Sequence, residues 1–113
     1  DTLIVGGADS GTERVRVFGL RAPEVADACG PEATADLERT VGTSVRLLAD
    51  ERTQDQFGRE LRYVFTPDGT SVDAELIRHG SARAWRDDGA FRDILIRIES
   101  TARNEGRGCL WKG

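Results

Sequence analysis

The chain has 113 residues, enough for one ordinary core and too few for two. Hydrophobic residues make up 38% and charged residues 32%, which excludes a disordered or fibrous chain. One histidine, His79, excludes a histidine pair, two cysteines exclude a four-cysteine zinc site within the chain, and a net charge of -4 disfavours non-specific coating of nucleic acid.

Leu3-Ile4-Val5 reads as a strand, and Gly6-Gly7 with Asp9-Ser10-Gly11 as a turn. Val15, Val17 and Gly19 alternate with Arg16, Phe18 and Leu20. The pattern predicts a second strand with one buried face and Arg16 projecting from the other. Pro23 ends it, since the residue before a proline avoids helical angles. A helix is predicted over residues 31–41, with Ala33, Leu37 and Val41 on one face and Gly42 as its stop. Val45, Leu47 and Ala49 read as a third strand, followed by a polar loop over 50–58. Leu61, Tyr63 and Phe65 read as a fourth strand, and Pro67-Asp68-Gly69 turns the chain. A short helix over 71–79 stops at Gly80, with a fifth strand over 82–85. His79, at the end of that helix, reads as solvated surface. The last helix spans 89–104, with Phe91, Ile94, Leu95, Ile98 and Ala102 as a core-facing stripe. The order is that of an α+β fold weighted towards β, a five-stranded OB-type barrel with three helices, as one domain over 1–113. No apolar run approaches the roughly 20 residues of a membrane helix.

Two further features stand out. Of the 16 basic residues only Lys112 is a lysine. Arginine presents a planar fork suited to phosphate and carboxylate, although a GC-rich coding bias produces the same excess. Cys29 lies before the first helix and Cys109 near the C-terminus. They are either a pair, which implies an oxidising, secreted or extracytoplasmic setting, or two free buried thiols.

Val15-Arg16-Val17-Phe18-Gly19-Leu20-Arg21-Ala22-Pro23-Glu24 resembles the V-R-L-x-G-I-D-x-P-E strand of the staphylococcal-nuclease-like (thermonuclease) family. Further blocks match in order. Cys29-Gly30-Pro31-Glu32-Ala33 resembles the start of the family's first helix. Residues 55–64, from Asp55 through Phe57-Gly58-Arg59 to Val64, resemble its D-x-Y-G-R-x-L-A-Y-V strand. Residues 72–84 resemble its V-N-x-x-L-V-x-x-G-x-A-x-V segment, and Gly108-Cys109-Leu110-Trp111 its G-L-W ending. Asp1-Thr2 is similar to the end of its D-G-D-T turn, which implies that the domain's first strand is missing from an N-terminally trimmed fragment.

The resemblance implies an OB-type barrel and hydrolysis of DNA or RNA phosphodiesters with Ca²⁺. It places Arg16 and Arg59 on the phosphate and Glu24 beside the attacking water. Paired guanidinium groups suit the charge that builds on phosphate oxygens, and a carboxylate can orient or deprotonate water. Phe57 stands where the family has a tyrosine and can stack on a base without donating a hydrogen bond. Trp85 is a second stacking candidate, or a rim residue of the core. Asp55 reads as a brace for its loop.

For the metal, Asp1 matches one family aspartate and Ala22 the carbonyl, but Arg21 replaces the second aspartate. That exchange adds two units of positive charge, so Ca²⁺ is expected to bind poorly. Arg21 has three options: to act on the phosphate in place of the metal, to pair with Asp1 or Glu24, or to face solvent. The expected activity is that of a monomeric endonuclease with low sequence specificity. It acts on single-stranded or flexible DNA or RNA, depends weakly or not at all on Ca²⁺, and has no membrane partner. The alternative is a catalytically inactive nucleic-acid-binding or interaction module on the same fold.

Overall fold

A computed structural model describes residues 2–6, 11–24 and 26–112. The N-terminal half supplies strands β1 (Thr2–Gly6), β2 (Thr12–Val17) and β3 (Leu20–Arg21), then helix α1 (Gly30–Val41). Next come β4 (Arg46–Leu48), β5 (Glu60–Phe65), α2 (Val72–Arg78) and β6 (Arg83–Ala84). Helices α3 (Arg92–Asn104) and α4 (Gly108–Trp111) complete it.

Among the described residues the strands form two sheets, one of order β1-β2-β5-β4 and one pairing β3 with β6. β2 runs parallel to β5 and antiparallel to β1, so the larger sheet is mixed. The five strands and three helices expected from the sequence are six and four here, more residues lie in helix than in strand, and no closed barrel forms among the described residues. The extra strand arises because the predicted second strand breaks at Phe18-Gly19, where the chain turns from β2 into β3. Gly19 is needed at that turn: a Cβ there would lie 2.5 Å from Leu95 Cδ1 and 2.8 Å from Asp73 Oδ2.

The core lies between the sheets and the helices and includes Val17, Leu20, Leu37, Val64, Leu76 and Leu95. In α3 the predicted stripe is rotated. Leu95 and Ala102 are buried, but Phe91 and Ile94 are 39% and 54% exposed, and Glu99 is buried between Leu95 and Ala102. Glu99 tolerates burial because its carboxylate accepts the Ala84 N–H at 2.8 Å and pairs with Arg86. That hydrogen bond also fixes β6.

Cys29 and Cys109 form a disulfide with their Cα atoms 5.7 Å apart. It joins the start of α1 to α4. No described helix is long and apolar enough to cross a membrane.

Candidate functional site

Two segments, placed side by side by the parallel pairing of β2 and β5, bring the arginines together. Arg16 lies opposite Leu61 in that register, and Arg59 immediately precedes β5. Both faces of the strand are buried here, rather than the one its alternation predicts: Val15, Val17 and Phe18 are buried, and Arg16 is only 8% exposed. It is covered because its guanidinium lies 4.9 Å from the centre of the Trp85 ring and donates from Nη2 to the Leu20 carbonyl at 3.3 Å. Burial first, and then the charge of Arg59, pull its pKa below the usual arginine value, yet arginine remains cationic across the ordinary pH range.

Arg59 is held by its own loop. Its Nε donates to Asp55 Oδ2 at 2.6 Å, and its Nη1 to Thr2 Oγ1 at 2.7 Å. Asp55 also accepts the backbone N–H groups of Phe57 and Arg59, each at 2.9 Å. Burial pushes the Asp55 carboxyl up, but these hydrogen bonds outweigh it and the net shift is downward. Asp55 is thus the brace its sequence context suggests. Among the described residues, the other N–H groups of the Arg59 fork are not used by the protein.

Arg16 and Arg59 are common to two clefts. The first, of about 660 Å³, is also lined by Arg21, Ala22, Glu24 and Arg83. Here Glu24 is exposed, and its loop is held by two exchanged bonds. The Glu24 N–H donates to Asp27 Oδ2 at 3.0 Å, and the Asp27 N–H donates to the Glu24 carbonyl at 2.8 Å. The second cleft, of about 510 Å³, is lined by Arg52, Phe57 and Trp85 besides the shared arginines. Phe57 is 66% exposed, so its ring face is open to a stacking partner, with the Arg59 guanidinium 5.8 Å from its centre. Trp85 is half-buried. Its indole N–H donates to Asp88 Oδ1 at 2.7 Å, and Arg52, which pairs with Asp88 through two 2.9 Å hydrogen bonds, lies 5.5 Å from its ring.

The metal set is different. Asp1 lies outside the described residues. Ala22 and Arg21 both line the first cleft, and among the described residues Arg21 has no ion pair, so it does not close the cleft on Glu24. The charged lining counts Arg16, Arg21, Arg59 and Arg83 against Glu24 and Asp27. No three His, Cys, Asp or Glu among the described residues come together as a metal set. A hard dication needs several oxygen ligands, and among the described residues the two carboxylates of this cleft, set against four guanidinium groups, do not fit one.

A family model described as staphylococcal nuclease homologue matches residues 14–113. The chain belongs to the staphylococcal nuclease homologue family. Among curated proteins, no match to the chain was found. The matched span of this nuclease homologue carries both cleft arginines, Glu24, Phe57, Trp85 and both cysteines. Its relationship associates the fold with nuclease chemistry and nucleic-acid substrates.

Arg52 and Arg83 carry no signal in the sequence. Every base but one is an arginine, so charge alone marks none of them, and only the tertiary fold selects the two that face the clefts. His79 is exposed, as its place at a helix end suggests, and it is not idle there. Its ring bridges two carboxylates, with Nδ1 3.0 Å from Asp36 Oδ2 and Nε2 3.2 Å from Glu75 Oε2.

Proposed function

We propose that this domain hydrolyses phosphodiester bonds of single-stranded or otherwise flexible DNA or RNA, with low sequence specificity. The observation that carries the reading is the joint lining of one cleft by Arg16, Arg59 and Glu24 in a chain of the staphylococcal nuclease homologue family. Arg16 and Arg59 hold the phosphate oxygens, where their fixed positive charge is worth most as charge develops. Glu24 orients a water and takes one of its protons as the water oxygen bonds to phosphorus. The bond to one ester oxygen breaks, and the departing alkoxide takes a proton from solvent. Phe57 and Trp85 flank the neighbouring base in the second cleft. No step is assigned to Ca²⁺, because the donor set opposes it.

The wider reading is a single monomeric domain in which the two sheets belong to an OB-type barrel. The disulfide supports a secreted or extracytoplasmic setting. A second reading, a binding module without turnover, is favoured by one observation: Arg21 stands in the cleft where the family resemblance calls for a metal-binding aspartate.

Incubation with single-stranded DNA, in EDTA and in Ca²⁺, separates the two. The nuclease reading expects cleavage in EDTA that falls by about 10²–10⁴-fold in Glu24→Gln, the range for losing a general base. Salt-dependent binding with no cleavage in either buffer selects the binding module.

A further inference from the structure

Two arginines of the first cleft lie outside the residues assigned above to turnover. Arg21 on β3 and Arg83 on β6 are direct cross-strand partners. Both are exposed, and both line the 660 Å³ cleft and an adjoining notch of about 220 Å³. Like charges directly opposite in an antiparallel pair repel, because their Cβ atoms stand only about 4.5–5.5 Å apart. Among the described residues, neither guanidinium has a carboxylate partner, although Glu24, Asp27 and Asp87 share these linings. Arg83 lies 5.2 Å from the Trp111 ring centre, a contact that orients the cation without neutralising it. The repulsion extends further, since Arg21 is one of the charges that hold the Arg16 pKa down.

The ribbon of β3 and β6 therefore presents two unneutralised forks to a cleft open to solvent. An anion between them removes the repulsion and uses the planar donors of both. We propose that Arg21 and Arg83 form an anion subsite, separate from the Arg16 and Arg59 pair, that holds a phosphate group without a divalent cation. The subsite rests on the nuclease reading only for the source of that phosphate, a second phosphodiester of the bound strand.

The test is a titration of the full chain in EDTA at fixed ionic strength, followed by amide resonances. Inorganic phosphate is expected to shift Leu20, Arg21, Arg83 and Ala84. Arg21→Gln and Arg83→Gln should each weaken phosphate binding by about tenfold, the scale of one lost charge-assisted hydrogen bond. Arg83→Lys keeps a cation beside Trp111 but removes the fork, and it should weaken binding several-fold if the Gln variant fails to fold. Shifts confined to Arg16 and Arg59, or parent affinity in the Arg21 and Arg83 variants, would overturn the subsite. A second arm uses a dT tetranucleotide without terminal phosphates. Shifts at β3 and β6, with a salt dependence whose slope falls by about 0.7 in each variant, assign the subsite to a strand phosphodiester. If inorganic phosphate binds there and the tetranucleotide does not, the subsite takes free phosphate or a monoester. No arm reads cleavage, so a chain that fills the subsite but does not cut refutes the nuclease reading alone.

Discussion

Asp73 shows how one buried carboxylate can position a site it does not enter. It is 1% exposed, and each of its oxygens accepts a backbone N–H: Oδ2 from Gly19 at 2.8 Å and Oδ1 from Val64 at 2.9 Å. It thereby ties the turn between the Arg16 and Arg21 strands to β5. Burial, only partly offset by these bonds, pushes its pKa up to about 6 from the ordinary value of 3.8. The folded chain then binds more protons at Asp73 than the unfolded chain between about pH 4 and 6. Its contribution to stability is fully present below that window and is lost as pH rises through it, by up to about 3 kcal/mol. Asp36, Asp50, Asp55 and Asp88 are shifted downward, so their contributions are present above pH 3.8 and fade at lower pH. Urea unfolding from pH 4 to 7 checks this. Relative to the parent, Asp73→Asn should gain stability as pH rises, and a stability difference that does not vary with pH would contradict the assignment. The sequence does not expose this role, because an Asp in the first turn of a helix reads as a solvated partner of the helix dipole. Only the packing of the Phe18-Gly19 turn, β5 and α3 around α2 buries it.

At the scale of elements, the junction of α2 with α4 depends on two glycines. Gly80 has φ +74°, and a Cβ on it would lie 1.9 Å from the Arg107 carbonyl oxygen. A Cβ on Gly108 would lie 2.1 Å from the His79 carbonyl oxygen. The two backbones touch, and the Leu110 N–H donates to the Gly80 carbonyl at 3.2 Å. Gly69, at φ +90°, is the comparison: a Cβ there would meet nothing within 4 Å, so it isolates the conformational penalty alone. Gly69→Ala should cost about 1–2 kcal/mol, the penalty of the left-handed region. Gly80→Ala should cost a further 1–3 kcal/mol or so, the range for overpacking. Equal losses in chemical denaturation would mean that the close approach carries no energy. Gly80 is legible as a helix stop, but its contact with α4 is not, since the four residues of α4 are too few to show a period. The break at Gly19 is hidden for the opposite reason: the alternation of β2 continues through the turn into Leu20. In α3, hydrophobicity names the helix and Leu95, Ile98 and Ala102 on its buried face, but it misplaces Ile94 and misses Glu99, which is buried by hydrogen bonds that no hydropathy pattern records.

For the molecule as a whole, the net charge of -4 and the arginine clefts are compatible because charge is sorted by place: the cleft lining is cationic while much of the remaining chain is acidic. The motif blocks make Arg16, Glu24 and Arg59 legible together, since the family resemblance carries those residue types at those spacings, and all three line one cleft. The cysteines leave two outcomes open because pairing depends on tertiary distance, which their positions in sequence do not give. The bridge spans a sequence separation of 80, most of the chain, and ties α4 back to the segment that follows the Glu24 loop. In the chain-entropy account such a closure stabilises the fold by about 4–5 kcal/mol, an upper figure. It does so chiefly by restricting the unfolded chain, so two quantities should move in the double variant Cys29→Ser, Cys109→Ser. Its urea midpoint should fall, by a loss of about 2–4 kcal/mol. Its denaturant slope should rise, because an unfolded chain without the cross-link exposes more surface. A lower midpoint with an unchanged slope would place the effect in the folded state instead, in the packing of α4 against α1 and the end of α2.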